Sequence, residues 1–578
     1  MTLLSNYLEL RNFSPTLVDE IVYVKGCLTS GDGGEGTFYW NSLDDSFDDG
    51  GTIFQVSGVN IGRWRRSYSG FASIAWFGAK PNSTVDAATN VTAIINAITA
   101  CHQVIIPQNV FYINNLIALS ELSDRVIVAD GATVINQNHL VGTIQFFRGS
   151  NITIQGGLWT RELPVSEGVA DEHTFRFIGS KCVRVDRVHI KWSPEMGICL
   201  MSIIDAVISN CRIENCFRDG IYSHYSANLT YIGNHLENIK DDAMSIHDYG
   251  ITSEKAELLA AGFEQAGHSI VIGNTVRYAI EGFASIGCTD ILVSNNQIER
   301  TVNAGINVFN SVVLSLGSTA TVKRITITDN LLNENGGSQI INGLSFSNGG
   351  QLSSGRAAIF IGSLNSSNQI DNPVPTKRLS AITISNNQIT NSFVNGIFIA
   401  QVDSLTFTSN SFIDCDIDRS QFCGQIVEVR YSSDVAIYNN KVIDTRPQIK
   451  HDHGYEIREV TGSMGGWEIR GWNNGPRLFA TPPFPSQATE RFKEYNLLID
   501  PPNLEVGKFA IIYNYIDGNA SVGDFVSVSP PYDTVGISFN GYISNINQIA
   551  LLLKNERDDL AINLPSGIWR FKIYNSVP

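Results

Sequence analysis

The chain has 578 residues, with 56 aspartates and glutamates against 40 lysines and arginines and a formal net charge of −16. Its 43% hydrophobic and 10% aromatic residues exclude a disordered chain, and the acidic balance argues against nucleic acid as a partner. No run of about 18 apolar residues occurs, so the sequence predicts no membrane partner. Only 17% of the residues are charged, against about 25% in ordinary globular proteins, and this shortage needs a structural cause.

The N-terminal residues 1–70 predict a small β-rich domain. Its strands are marked by the aromatic segments 36–40 and 62–66, with Gly and Asp turns between them. The chain start has neither a basic stretch nor a small-residue cleavage site, so we expect no signal peptide.

Residues 71–104 predict a linker followed by an amphipathic helix. The helix is expected over residues 86–100, with Asp86 at its start. Such a helix would close the open end of a repeat structure, whose exposed strand edges would otherwise associate with other chains.

Residues 105–446 carry an internal repeat. Alternating apolar and polar residues predict strands with one buried face, and Asn suits the sharp corners that follow because it tolerates left-handed backbone. Corners are 22 residues apart from Asn274 to Asn296 and 23 apart from Asn387 to Asn410. This period, with no helix inside the repeat, predicts a right-handed parallel β-helix. The segments are residues 229–234, 270–274, 291–296, 325–330, 382–387, 405–410 and 435–440.

A second strand in each repeat aligns equally well. It begins with a polar or small residue, then Gly or Ala, then an inward-pointing Ile, Met or Phe. The following residue should point outward, into a groove that runs along the repeat. The starting residues are Asp219, Asp242, Glu281, Ala304 and Asn395.

The repeat is expected to stop at residue 446. Residues 447–578 are rich in Pro and aromatic residues and then alternate, which predicts a C-terminal β-sandwich. The nine cysteines form no Cys-x-x-Cys pair, so we expect reduced, buried thiols rather than disulfides or a zinc site. The predicted fold class is all-β.

Two stretches carry a family resemblance. Residues 76–87, Trp-Phe-Gly-Ala-Lys-Pro-Asn-Ser-Thr-Val-Asp-Ala, resemble the opening of pectate-lyase-like β-helix proteins. The Gly- and Asp-rich stretch 31–54, followed by Gly-Arg-Trp-Arg-Arg at 62–66, resembles the neck of tailspike capsule depolymerases from phages of encapsulated Acinetobacter. These tailspikes usually begin with a longer virion-attachment domain, so we expect either a piece of a longer spike or attachment through an adaptor.

The resemblance implies a homotrimer in the virion tail, made in the cytoplasm of the host bacterium. It implies attachment to the tail, baseplate or an adaptor protein, and binding and cleavage of bacterial capsular polysaccharide. It gives no catalytic residues, because catalytic sites in this group vary in position.

The repeat spacing itself indicates where the chemistry lies. An offset of 23 residues stacks Asp219 under Asp242, and Glu281 lies above Asp242 after an insertion at about residues 249–268. Like charges about 5 Å apart repel, which does not help folding, whereas glycoside hydrolysis needs one protonated acid and one carboxylate. We therefore predict Asp219, Asp242 and Glu281 as catalytic residues, with no metal and no cofactor. The neighbouring residues predicted to bind substrate are Tyr222, His224, Tyr225, Asp241, His247, Asp248, Trp192 and Glu195.

Several alternatives stay open at this point. Asp before Gly is also ordinary turn chemistry, and an acidic cluster can hold calcium, as in pectate lyases. A polysaccharide lyase would use a His or Tyr base, so His224, His247 and Tyr222 would matter most. A non-catalytic receptor-binding spike would bind the glycan without shortening it. The capsule type, the linkage and the stereochemistry are not determined by the sequence.

Overall fold

The computed structural model describes two compact units, each with its own core. The first comprises Met1–Val460 and Gly465–Thr481, and the second Thr461–Met464 and Pro482–Pro578. Within them, the described residues are 1–165, 168–310, 320–336, 340–341, 344–345, 357–363, 378–416, 426–445, 455–458, 460–465, 468–470, 477–479, 492–516, 520–522, 524–532, 534, 536–557 and 559–574.

The N-terminal domain of the first unit is a five-stranded sheet, as the aromatic segments predict. Its core contains the buried aromatic side chains of Phe38, Phe54 and Trp64. A short helix, Tyr7–Asn12, contributes Tyr7 and Leu10 to the same core. In spatial order the strands are Thr2–Leu4, Ile21–Val24, Gly36–Asn41, Arg63–Arg66 and Ile53–Gln55.

The β-helix follows, and its coils stack parallel strands into three faces. The first face contains Ala72–Ser73, Gln103–Ile105, Ser123–Val128, Ser150–Gln155, Lys181–Asp186, Ile204–Ser209, Ala227–Ile232, Gly267–Ile272, Thr289–Ser294, Lys323–Thr328, Leu379–Ser385, Val402–Thr408 and Ser433–Tyr438. The second contains Val110–Ile113, Thr133–Asn136, Leu158–Arg161, His189–Lys191, Arg212–Cys216, Leu331–Asn333, Gln388–Thr390, Ser411–Ile413, Lys441–Ile443 and Glu468–Arg470.

The third face contains the second strand of each repeat, and we call its outer side the groove face. Its strands are Ile117–Ser120, Ile144–Phe147, Phe175–Ile178, Ile198–Met201, Ile221–His224, Ala357–Gly362, Asn395–Ala400, Val427–Arg430, Tyr455–Arg458 and Arg477–Phe479. Three long strands continue from the second face into the third: His235–His247, Thr275–Ile286 and Gln297–Phe309.

The predicted Asn corners form a continuous ladder of buried side chains. Each amide donates to the side-chain oxygen of the next corner at 2.9–3.0 Å, and that oxygen also accepts the main-chain N–H of the corner below. Cys211 occupies the equivalent corner, where its N–H donates to Asn234. This confirms the strand and corner assignment. The ladder consists of Asn234, Asn274, Asn296, Asn330, Asn387, Asn410 and Asn440.

The capping helix spans Ala87–Ala100, preceded by a 3-10 turn at Ile74–Phe77. It buries Val91, Ile94 and Ile98 and contacts the first coil of the β-helix. Asp86 does not cap the helix main chain, because its carboxylate instead binds Lys80 and Ser83. The helix thus covers the open end by apolar contact.

The coils continue beyond residue 446, where the sequence prediction ends them. Tyr455–Arg458 pairs with Val427–Arg430, and Glu468–Arg470 pairs with Lys441–Ile443. The predicted insertion is present between Ala227–Ile232 and Gly267–Ile272, and it holds the short helices Thr252–Glu254 and Ala256–Ala260. Additional strands are Ile340–Ile341, Leu344–Ser345 and Gly462–Gly465.

The C-terminal unit is β-structure with its own core, which includes Leu551, Trp569 and Phe571. Its described residues form one six-stranded antiparallel sheet, where the sequence predicts the two sheets of a sandwich. The order is Phe492–Ile499, Gly567–Tyr574, Phe525–Ser529, Ile537–Asn545, Gln548–Asn555 and Phe509–Tyr515.

The cysteines of the described residues are free thiols, and all of them except Cys182 are buried. Cys423 lies outside the described residues. Among the helices that the structure describes, none has the length and apolar character needed to cross a membrane.

Candidate active site

The three predicted catalytic carboxylates lie on successive coils beside the groove face. The N–H of Gly220 donates to the carbonyl of Asp242 at 3.0 Å, and Tyr222 aligns with Ser245, so Asp219 lies in register with Asp242. In the next coil Asp242 aligns with Glu281. The stacking that the 23-residue offset predicts is therefore present.

Asp219 is the most deeply buried of the three, at 1% exposure. The hydroxyl of Ser245 donates to Oδ2 of Asp219 at 2.7 Å, and Oδ1 has no partner among the described residues. Burial, followed by the negative charge of Asp241, raises the pKa of Asp219 to about 8. Asp219 is therefore protonated at neutral pH.

Glu281 differs because amide groups surround its carboxylate. Nδ2 of Asn307 donates to both oxygens at 2.8 Å, and Asn303 donates to Oε1. Burial raises the pKa of Glu281 to about 7, against the lowering effect of these amide donors. Glu281 also shares a side-chain hydrogen bond with Asp242.

Asp242 has no such amide donor among the described residues. Burial raises its pKa well above the usual range, and the charges of Glu281, Asp219 and Asp241 raise it further. Because amide donors stabilise an ionised carboxylate, the proton shared by the pair belongs on Asp242 and the negative charge on Glu281. The pair thus offers one acid and one carboxylate base.

An alternating charge column borders these carboxylates. Arg218 places Nη1 3.2 Å from Oε1 of Glu195 and Nε 3.5 Å from Oδ2 of Asp241. Glu195, Arg218 and Asp241 are 23 residues apart in succession, one per coil. Burial raises the pKa of Asp241, and Arg218 opposes this shift. Side-chain exposures of 47% for Arg218 and 27% for Asp241 make this column the solvent-facing side of the site.

Arg218 and His173 were not among the residues predicted from the sequence. Nδ1 of His173 lies 3.4 Å from Oε2 of Glu195, and burial lowers the pKa of His173 to about 3. The 23-residue offset that stacks Glu195 and Asp241 also passes through position 218, so the spacing contained a signal for Arg218. His173 had no such signal.

On the groove face the two predicted histidines stack, with His224 opposite His247. Nδ1 of His224 lies 2.8 Å from the hydroxyl of Tyr222, and Nδ1 of His247 lies 2.8 Å from the hydroxyl of Tyr249. The two hydroxyls are 3.0 Å apart. Burial lowers the pKa of His224 to about 4 and that of His247 to about 3, so both imidazoles are neutral at neutral pH.

Three of the residues predicted to bind substrate lie away from the carboxylate stack, although the ring of Tyr225 contacts those of His224 and Tyr249. Asp248 is fully buried and holds the insertion, because its carboxylate binds Nζ of Lys255 at 2.7 Å and accepts the N–H of Ala266. Tyr225 is also fully buried. Trp192 directly follows the strand His189–Lys191, and Nζ of Lys191 lies 4.6 Å from the centre of its ring. None of these three side chains contacts the carboxylate stack among the described residues.

The described residues contain no cluster of three or more His, Cys, Asp or Glu side chains arranged to hold a metal ion. The carboxyl pair and the neutral imidazoles are the acid and base groups that the described residues place at this site. It can donate a proton from Asp242 and accept one at Glu281, beside a groove lined by tyrosine, histidine and an arginine.

Two parts of the sequence match known family models. Residues 4–69 match the small four-stranded β-sheet domain of phage tail proteins, and residues 126–259 match the right-handed β-helix region. No curated protein matches the sequence significantly. The second match covers Asp219 and Asp242 and agrees with the coils described above.

Solved structures with similar folds include three polysaccharide-related proteins at low identity. The tailspike gp49 of Acinetobacter baumannii bacteriophage Fri1, a capsular polysaccharide depolymerase, is 12% identical over 100% of this chain and 99% of that chain, with a TM-score of 0.35. A mutant tailspike of E. coli bacteriophage HK620 in complex with a pentasaccharide is 11% identical over 92% and 98%, with a TM-score of 0.47. An alpha-1,3-glucanase from Streptomyces thermodiastaticus is 16% identical over 74% of each chain, with a TM-score of 0.39.

Proposed function

We propose that this protein is a phage tailspike that binds bacterial capsular polysaccharide and depolymerises it by glycosidic hydrolysis. The observation that carries the proposal is the Asp242–Glu281 pair, two buried carboxyl groups in register on neighbouring coils, of which only Glu281 accepts hydrogen bonds from amide side chains among the described residues. Glycoside hydrolysis needs this combination of a proton donor for the leaving oxygen and a carboxylate on the other side of the bond.

In this mechanism Asp242 is the general acid. Its proton passes to the glycosidic oxygen as the bond to the sugar carbon breaks, and Asp242 is left as a carboxylate. Glu281, held ionised by Asn303 and Asn307, either takes a proton from the attacking water or attacks the sugar carbon itself. Strands on neighbouring coils are about 4.8 Å apart, which is near the carboxyl separation of retaining glycosidases, whereas two coils would give about 9.6 Å, near that of inverting ones.

Asp219 supports this pair rather than reacting. Its carboxyl group is buried beneath Asp242 and bonded to Ser245, away from a sugar in the groove. We assign Asp219 to positioning, because its carboxyl group accepts from Ser245 on the coil that carries Asp242, and its ionisation above about pH 8 would raise the pKa of Asp242 further.

The match of residues 4–69 to a phage tail protein domain supports a place in the virion tail. The homotrimer, the tail or adaptor contact and synthesis in the host cytoplasm are part of the same proposal and stem from the family resemblance. Exposed apolar side chains of the N-terminal domain, such as Leu43 and Phe47, offer surface for such contacts.

The test uses Asp242→Asn and Glu281→Gln, which keep side-chain shape and remove the acid or the base. We expect each to reduce the release of reducing ends from purified capsule by about a hundredfold or more. Glu299→Gln is the matched control, since Glu299 pairs with Arg277 and Arg300 outside the site. Release near the level of the unaltered protein from both site variants would refute the assignment.

A lyase is the second candidate, and the observation favouring it is the neutral imidazole of His247 beside the stack. A lyase product carries an unsaturated uronate, so the ultraviolet absorbance of the digest separates the two reactions. If neither reducing ends nor absorbance appear and size-exclusion chromatography shows capsule of full length, the protein is a non-catalytic binding spike.

A further inference from the structure

Four side chains on the groove face form one continuous line of hydrogen bonds that ends at the proposed acid. From one end to the other, the line contains His224, Tyr222, Tyr249 and His247, with contacts of 2.8, 3.0 and 2.8 Å. We call these four residues the His–Tyr line. At its end, Nε2 of His247 lies 3.5 Å from Oδ2 of Asp242 and makes no hydrogen bond with the described residues.

Counting protons shows that this line has a direction. It contains three hydrogen bonds, and the two tyrosine hydroxyls supply two protons. The third must be an Nδ1 proton on one of the two imidazoles, and the other imidazole then carries its proton on Nε2. The protonation of His247 at Nε2 is therefore coupled to that of His224 at Nδ1, through both hydroxyl groups.

The hydrogen-bonding state of Asp242 determines which of the two imidazoles carries its proton on Nε2. Asp242 and Glu281 share a side-chain hydrogen bond, and with the proton of Asp242 in that bond the oxygen facing His247 is an acceptor. An acceptor there requires a proton on Nε2 of His247. Nδ1 of His247 then accepts from Tyr249, Tyr249 accepts from Tyr222, and Tyr222 accepts from Nδ1 of His224.

We propose that the His–Tyr line fixes His247 as the Nε2-protonated tautomer, so that His247 donates to Asp242 and strengthens it as an acid. This inference rests on the proposed function, in which Asp242 loses its proton during bond cleavage. A hydrogen bond from His247 stabilises the resulting carboxylate more than the neutral acid. Tyr249, which lies outside the repeat strands, is thereby a positioning residue that acts through His247.

The decisive variant is Tyr249→Phe, which removes the donor to Nδ1 of His247. We expect kcat to fall about tenfold with KM little changed, and the basic limb of the pH profile of kcat/KM to move upward by about one unit. The upward direction follows because the ionised form of Asp242 loses a donor, which raises the pKa of Asp242. The other charged groups around Asp242, namely Glu281, Asp219, Asp241 and Arg218, are unchanged in this variant.

Tyr231→Phe is the matched control, because Tyr231 is a fully buried tyrosine whose hydroxyl is outside the His–Tyr line. We expect this variant to keep the pH profile of the unaltered protein. An identical shift in Tyr231→Phe and Tyr249→Phe would contradict a specific role of the line.

Repeating Tyr249→Phe in a protein that also carries His247→Gln separates an effect on the tautomer of His247 from an effect on packing. His247→Gln replaces the imidazole by an amide, whose N–H donates without any tautomer to fix. We expect Tyr249→Phe to have little further effect on kcat in the His247→Gln background. Equal fold-losses in both backgrounds would overturn the proposal.

Infrared spectroscopy of the substrate-free protein tests the same inference without catalysis. The infrared band of the protonated Asp242 carboxyl group is identified by its absence from the spectrum of Asp242→Asn. The pH at which half of this band is lost is the midpoint of the titration. We expect a higher midpoint in Tyr249→Phe than in the unaltered protein and in Tyr231→Phe. An unchanged midpoint in Tyr249→Phe would refute the role of the line. If the midpoint shifts but the unaltered protein releases no reducing ends, only the proposed hydrolysis is refuted.

Discussion

Asp242 and Glu281 carry the same ionisable group, and the opposite roles that we propose for them depend on their neighbours. Two amide side chains donate to Glu281, whereas three acidic side chains surround Asp242. Burial raises the pKa of both groups, so the donors decide which one keeps the proton. At the scale of residues, the division into acid and base thus depends on Asn303 and Asn307.

Asp219 gives a stability prediction with a defined sign. Its pKa is raised from 3.8 to about 8, so the folded protein retains a proton that the unfolded chain releases between these values. This contribution to stability is fully present below about pH 4 and is lost as the pH rises towards 8. Asp219→Asn should therefore melt at a higher temperature than the unaltered protein at pH 8, with a smaller difference at pH 5.

Thermal unfolding followed by circular dichroism at both pH values measures this difference. Asp130→Asn is the control, because Asp130 has a side-chain exposure of 54%. A difference in melting temperature for Asp219→Asn that is the same at both pH values would show that ionisation of Asp219 does not limit stability.

At the scale of elements, the Asn ladder sets the register of the coils. Asn296 donates to the carbonyl of Val271 and to Oδ1 of Asn330, and its own oxygen accepts the N–H and the amide of Asn274. Each corner therefore satisfies buried polar groups of the coil on either side. Because the ladder and the groove face belong to the same coils, its register is also the register of Asp219, Asp242 and Glu281.

Asn296→Ala is expected to lower the free energy of unfolding by about 2–4 kcal/mol, since it leaves buried donors of Asn274 without an acceptor. Asn109→Ala, at an exposed position, should change it by less than about 0.5 kcal/mol. Chemical unfolding of both variants measures the two values. Equal, small losses would mean that the ladder follows the coil geometry without stabilising it.

At the scale of the whole molecule, stacking accounts for the low charged fraction. Identical charges in one column of a β-helix would lie about 4.8 Å apart and repel. In one column the stacked charges alternate in sign, namely Glu195, Arg218 and Asp241. The buried stack of Asp219, Asp242 and Glu281 instead places three carboxyl groups on successive coils, a costly arrangement that favours a functional role.

The proposed trimer has a direct test at the same scale. Light scattering coupled to size-exclusion chromatography should give three times the 63.4 kDa mass of one chain. We expect this mass to persist on dilution. A mass of a single chain would refute the trimer and leave the site within one chain unaffected.

The sequence by itself determined the features that repeat. A coil of 22 or 23 residues returns the chain to the same place one strand spacing higher, so an equal offset in sequence becomes a column in space. This relation placed the Asn corners, the stack of Asp219, Asp242 and Glu281, and the pair His224 and His247. It failed at the end of the repeat, because residues 447–470 contain no asparagine to mark a corner, although strands within them continue the coils.

Only the tertiary structure decided which way the side chains point and what they contact. Asp248 adjoins His247 in sequence, yet it is buried against Lys255, whereas Tyr249 reaches back to Tyr222. Asn307 reaches Glu281 across coils at a spacing that is not a whole repeat. Hydrogen bonds depend on side-chain rotamers and on burial, which no spacing in the sequence fixes, and these bonds separate the acid from the base.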